Sequence, residues 1–169
     1  MTNVEIELNP VDFITIGTVG PKGRRLFHLQ AGQGAQVVSL TIEKEQARAL
    51  GEAIQDLLQD LKERDAVRFG NEKVDMTRMN MDLREPIEPE FRVSQMGLGY
   101  DETNDQIILV ARELVIVEEN QDPDEVQAGI ARFWATREQM LALALHSGDV
   151  VKAGRVDPQS NGRLLYYWT

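Results

Sequence analysis

The sequence has no cysteine, only two histidines, 6% aromatic residues and a shortage of positive charge, 18 Lys+Arg against 28 Asp+Glu. Each shortage excludes something. Without cysteine there is no disulfide framework, no thiolate zinc ligand, no iron–sulfur cluster and no thiol nucleophile, and a reducing, cytoplasmic setting is the simplest expectation. No run of 18 apolar residues occurs, and Met1-Thr-Asn-Val-Glu5 lacks the basic stretch and apolar run of a leader. The expected class is therefore a soluble protein away from membranes. A formal charge of −10 repels polyanions at long range, which counts against nucleic acid and anionic lipid as partners. What remains is 169 residues, 42% of them hydrophobic, enough for one domain that buries roughly two-thirds of its unfolded surface without a metal or cofactor to help.

The acidity is uneven. Residues 1–70 carry 8 bases and 10 acids, and residues 71–169 carry 10 and 18. The densest stretch, 101–125, sets nine acids against Arg112 alone and reads as a solvated face. Asp122-Pro-Asp-Glu125 lacks the alternating oxygens, central glycine and terminal glutamate of a calcium loop.

Val4, Ile6 and Leu8 alternate with polar neighbours, as in a half-buried strand, until Asn9-Pro10 breaks the pattern. Extended runs over 12–19 and 25–31 flank the turn Gly20-Pro-Lys-Gly23 as a hairpin, and 36–42 adds a third strand. Leu50, Ile54, Leu57, Leu58 and Leu61 then form one apolar stripe, predicting a helix over about 43–65. From Val67 to Pro89 no period holds, which predicts a long mobile connection, with Met76, Met79 and Met81 as adaptable filler of the core. A second hairpin follows, 91–98 with 106–117 around Asp101–Asp105, then a strand over 130–135. Phe133 and Trp134 face opposite ways on it, one toward the core and one toward a boundary. Thr136-Arg-Glu-Gln139 is a capping box opening a helix over about 137–152.

The segments 38–50 and 131–143 align without gaps, matching Glu45-Gln46 to Glu138-Gln139 and Ala49-Leu50 to Ala142-Leu143. The expected fold is thus α+β, an antiparallel sheet with two helices, built from a duplicated meander-plus-helix unit. Its halves are about 4–66 and 88–153, with a linker at about 67–87 and a tail at 154–169.

The most site-like segment is the corner Gly17–Arg25. Gly20 and Gly23 let backbone N–H groups approach an anion, and Lys22, Arg24 and Arg25 concentrate positive charge. It is neither a Walker loop nor a dinucleotide fingerprint, so a plain hairpin turn competes with phosphate or carboxylate binding. His28 and His146 lack partners at metal spacing and read as structural, His146 lying near the end of its helix. Asp12 and Glu118-Glu119 have no geometric claim to acid–base work, and no serine sits in a nucleophile elbow. No catalytic residue, metal site or cofactor is expected.

Several runs together resemble a bacterial family, the domain of unknown function 3090: Phe13-Ile-Thr-Ile-Gly through Leu29-Gln-Ala31, Leu40-Thr-Ile-Glu-Lys-Glu-Gln46, Pro89-Glu-Phe-Arg-Val through Gly99-Tyr-Asp101, and Arg132-Phe-Trp-Ala-Thr-Arg-Glu-Gln139. The resemblance covers about residues 8–155. It implies an association with kinase-like and histidine-phosphatase-like neighbours, and no mechanism. It also implies a tail with cysteine and histidine ligands for zinc. Here Asp157-Pro158 and Asn161-Gly162 remain but every ligand is missing, so that metal site is absent. The apolar Leu164-Leu-Tyr-Tyr-Trp168 is expected to pack on its own domain or on a neighbouring subunit.

The expected role is a non-enzymatic binding or adaptor protein, its partner another protein or a second copy of itself. The alternative is a binder of a small phosphorylated ligand, or a small enzyme, using Gly20, Lys22, Gly23, Arg24 and Arg25.

Overall fold

The computed structural model describes residues 4–21 and 23–153. In chain order the elements are β1 (Glu5–Leu8), β2 (Phe13–Val19), β3 (Leu26–Gln33), β4 (Gln36–Ile42), α1 (Lys44–Arg64), β5 (Pro89–Asp101), β6 (Gln106–Glu113), β7 (Ile130–Ala135) and α2 (Arg137–Ala153), with single 3-10 turns at Met76–Arg78 and Pro123–Glu125. The class is α+β. The seven strands make one sheet in the order β1-β7-β6-β5-β4-β3-β2. It is mostly antiparallel, but β1–β7 and β4–β5 pair in parallel.

That order forces the sheet to roll. β1 and β2 stand at its two ends, yet only residues 9–12 join them. Seven flat strands at about 4.8 Å spacing would separate the ends by about 29 Å, and the five steps from Leu8 to Phe13 span at most about 17 Å. The seam is visible in two adjacent residues. Val11 N–H donates to the Trp134 carbonyl of β7 at 2.8 Å, and Asp12 N–H donates to the Gly32 carbonyl of β3 at 2.7 Å.

The inward residues alternate along each strand and include Ile16, Leu29, Leu40, Leu109 and Phe133, all fully buried. Ile54 of α1 and Met140 and Leu143 of α2 join the same core. The helices meet where Gly51 gives room: a Cβ there would stand 3.3 Å from the Ala144 carbonyl oxygen. Beside it the Ser147 hydroxyl donates to the Ala47 carbonyl at 2.6 Å.

The two strand-to-helix corners share their registers. Phe27↔Ile42 precedes α1 as Ile107↔Ala135 precedes α2. Phe13↔Gly32 to Val19↔Leu26 runs up to the first hairpin turn as Gln95↔Arg112 to Asp101↔Gln106 runs up to the second. Thr136 N–H donates to Gln139 Oε1 (2.9 Å) while Gln139 N–H donates to Thr136 Oγ1 (3.0 Å), the expected capping box. At the same place on α1, Glu43 N–H donates to Gln46 Oε1 at 2.7 Å. Each of these glutamines also reaches across to another backbone: Gln46 Nε2 donates to the Val93 carbonyl of β5, and Gln139 Nε2 to the Val11 carbonyl in the link between β1 and β2.

Three expectations need correction. β6 ends at Glu113, not at residue 117, because its partner begins only at Ile130, opposite Arg112. Leu114 and Ile116 therefore stand exposed. The connection 65–88 is laid along the body: Phe69 and Met81 are buried, Met76 is half-buried, and Met79 is exposed rather than core filler. His146 is not at the helix end, since α2 runs on to Ala153. Trp134 and Phe133 divide as expected, Phe133 fully buried and Trp134 half-exposed. The tail 154–169 lies outside the described residues.

Candidate functional site

Four arrangements of polar or exposed apolar groups stand out, and the sequence pointed to one of them. That one, the Gly17–Arg25 corner, is the turn of the β2–β3 hairpin. Gly20 and Gly23 have φ of 106° and 86°, in the region that favours glycine, and Arg24 N–H donates to the Pro21 carbonyl at 3.0 Å. Arg24 is exposed. Arg25 turns away from it and donates through Nη1 to the Ala153 carbonyl at the end of α2, 3.3 Å away, where a cation suits the helix dipole. The cations are thus split between solvent and a helix end; Lys22 lies outside the described residues.

The second arrangement ties the connection to the second half. Arg137, 8% exposed, donates from Nε and Nη2 to both carboxylate oxygens of Asp105 (2.9 and 3.0 Å) and from Nη1 to Glu72 (2.7 Å) and Asn71 (3.0 Å). Its guanidinium lies 5.0 Å from the Phe69 ring centre, and the Tyr100 hydroxyl donates to Asp105 Oδ1 at 2.7 Å. The hydrogen bond from Arg137 holds the Asp105 carboxyl below the usual range. For Glu72 burial pushes upward, and the Arg137 contact together with backbone hydrogen bonds outweighs it, so that carboxyl also stays low. Burial, then the Asp105 hydrogen bond, push Tyr100 up to about 12. Every charge here has a partner, so the cluster is a clamp. The sequence offers one weak pointer to it: Arg137 stands in the first turn of a helix, where the dipole disfavours a cation and a nearby acid offsets that cost.

The third is a covered polar row on the outer face of β2, β3 and β4. Thr15 Oγ1 donates to the Met81 carbonyl (2.6 Å). Gln30 Nε2 donates to Ser39 Oγ (3.0 Å) and the Arg84 carbonyl (2.9 Å), and Gln30 Oε1 accepts from Arg84 N–H (2.7 Å). Arg84 stacks 3.6 Å over the Phe13 ring, and Leu83 fills the space over Gly17. Residues 81–84 are a strap over this row. His28 lies beneath, 4% exposed, its Nδ1 without a partner among the described residues, and burial lowers its pKa. Asp12 is structural, its carboxylate accepting from Gly34 N–H at 2.6 Å.

The fourth was not anticipated. A groove of about 490 Å³ runs between α1 and β5, lined by Ala49, Ala53, Asp56, Leu57, Asp60 and, on the strand, Ser94 to Leu98. It exists because β4 pairs with β5 only up to Thr41↔Arg92 and then turns into α1, so from Gln95 onward β5 has β6 on one side alone, after Gln46 Nε2 has bonded to the Ser94 carbonyl. The space between α2 and β2, at the same place after the other strand-to-helix corner, is closed. There Ala142 of α2 and Ile16 of β2 are fully buried and Ile14 is 4% exposed. Ala49, counted to the same place from its helix start, is exposed, and Met96 and Leu98 are only half-buried. The sequence carried a faint signal in Ala49, Ala53, Asp56 and Asp60, which share a helix face of small and acidic residues.

Among the described residues no group of three or more His, Asp or Glu could hold a metal ion, and no helix is long and apolar enough to cross a membrane. A family model described as "Protein of unknown function (DUF3090)" matches residues 6–161. The chain belongs to this family. No curated protein and no solved structure matches it. Family membership agrees with the resemblance carried by the strand and corner motifs and assigns no chemistry to any of the four arrangements.

Proposed function

We propose that this member of the family is a non-enzymatic binding protein that holds another polypeptide in the groove between α1 and β5. The observation that carries this reading is the asymmetry between the halves: the same helix-against-strand packing is closed at Ile14, Ile16 and Ala142 and open at Met96, Leu98 and Ala49. Half-buried apolar side chains beside an unpaired strand edge suit a second chain, which supplies backbone partners and apolar cover together. Both carboxylates of the Arg137 cluster, Glu72 and Asp105, are engaged with its one guanidinium, which suits a structural part. For the alternative, a phosphorylated ligand at Gly20, Lys22, Gly23, Arg24 and Arg25, support is weaker, because Arg25 is committed to the end of α2.

We also propose that the chain arose from a duplicated unit; the matching corner registers and the paired roles of Gln46 and Gln139 support this.

Native mass spectrometry of the protein purified from its own cells tests the functional reading. A companion polypeptide that is lost when Ala49→Trp fills the groove is the expected result. A mass excess matching a small phosphorylated molecule, lost on Arg24→Ala with Arg25→Ala, would replace the reading with its alternative.

A further inference from the structure

The chemistry of the groove narrows its occupant. One wall is the backbone of β5 from Gln95 to Leu98, extended and paired only to β6; Ser94 is the bulge before it, and its carbonyl accepts from Gln46 Nε2 at 3.2 Å. Along an antiparallel pair, backbone groups that do not bond to the partner strand point the opposite way, here toward the groove. An extended backbone satisfies such an edge, and a helix or a compact small molecule does not. The floor is apolar, with Leu57, Met96 and Leu98 half-buried and in contact with the core. The other wall carries Asp56 and Asp60, one helical turn apart, both exposed and neither in an ion pair or hydrogen bond with any described residue. By contrast, Glu45 and Glu52 of the same helix are both paired to Arg48. Among the described residues the two carboxylates at the groove are thus without a cation, in a protein whose net charge already repels acidic partners.

We propose that the groove takes an extended segment of a partner protein, apolar at alternate positions and carrying Lys or Arg, laid as an added strand on the free edge of β5 with its cation against Asp56 and Asp60. This rests on the polypeptide-binding reading above and adds the chemistry of the partner. Alternation follows from the strand geometry: successive side chains face opposite ways, so those directed at the floor are apolar and the cation sits at the helix wall.

The test is selection from a random decapeptide library displayed on phage, using the full chain as bait. Affinities of the selected peptides are then measured by fluorescence anisotropy with the unaltered protein, Ala49→Trp, and Asp56→Asn with Asp60→Asn. These positions are exposed, and circular dichroism checks that each variant is folded. The expected result is enrichment of peptides with alternating apolar residues and at least one Lys or Arg. Ala49→Trp abolishes their binding, and the paired Asp→Asn change weakens it roughly three- to tenfold, the size of two partly screened ion pairs. Binding should also weaken with added salt.

Peptides that bind equally well to both variants would overturn the groove assignment while leaving polypeptide binding intact. Binding lost on Ala49→Trp but indifferent to the loss of both carboxylates would overturn the cationic chemistry alone. No enrichment would overturn both this inference and the reading on which it rests. Sedimentation of the protein by itself adds one more arm: a self-associated form that Ala49→Trp dissociates would put a second copy in the groove and overturn the partner proposed here.

Discussion

Arg137 and Asp105 face each other in a two-pronged contact, Nε to Oδ1 at 2.9 Å and Nη2 to Oδ2 at 3.0 Å, across 32 positions of sequence. This joins the first turn of α2 to the tip of the β5–β6 hairpin, and Glu72 adds the connection from α1. The side chains of Arg137 and Glu72 are 9% and 7% exposed. Arg137→Met therefore leaves a buried carboxylate without its cation and is expected to cost about 3–5 kcal/mol. Asp105→Asn removes charge from a side chain that is 40% exposed and keeps Glu72 paired, so about 1 kcal/mol is expected. Urea unfolding of the two variants checks the order; equal losses would mean that the clamp is not organised around Arg137.

The same cluster sets part of the acid response. Asp105 and Glu72 both have folded-state pKa values below their ordinary ones, so their contribution is fully present above the unfolded values of about 3.9 and 4.3. It is lost as pH falls below those values toward the folded ones, because the unfolded chain then binds more protons. In Arg137→Met the stability at neutral pH drops while that below about pH 3 changes less. Stability measured at closely spaced pH values between 2 and 6 should thus show a shallower slope in the variant.

The strap over β2 can be tested through Gly17. A Cβ at this position would lie 2.5 Å from Leu83 Cγ, so Gly17→Ala pushes the strap outward, at about 1–3 kcal/mol. Leu83→Ala should relieve much of that cost, and the double variant should be more stable than the sum of the single losses implies. Amide exchange around Arg84 should quicken in Gly17→Ala, with that of β3 unchanged. Additive losses would place Leu83 elsewhere in solution.

The parts legible in the sequence were local. The corner at Thr136–Gln139 follows from a hydroxyl and an amide three residues apart, and the apolar stripe of α1 from its own spacing. The class α+β and its hairpins needed nothing more. The rolled closure was not legible, because Val11 bonds to Trp134 and the pairing of β1 with β7 spans most of the chain. Nor was the strap, where Arg84 carries no periodic signal and depends on Gln30. The groove escaped for a different reason. An exposed Ala49 and a buried Ala142 are the same residue type at the same place after a strand-to-helix corner, and only their surroundings in the folded chain distinguish them.

His28 supplies a pH response of its own at milder acidity. It is 4% exposed, lies on the outer face of β3 beneath the strap, and its Nδ1 has no partner among the described residues. Burial lowers its folded-state pKa below the ordinary value of 6.5, so the native state holds the neutral imidazole where the unfolded chain begins to take up a proton. Stability from this group is complete above pH 6.5 and declines as pH falls from there through the folded value. His28→Gln cannot titrate and removes that decline, whatever it does to stability at neutral pH. The decisive quantity is the change in unfolding free energy between pH 7.5 and pH 5.5, which should be smaller in His28→Gln than in the unaltered protein. An unchanged difference would mean that the imidazole is protonated alike in both states, and therefore that water reaches it beneath the strap.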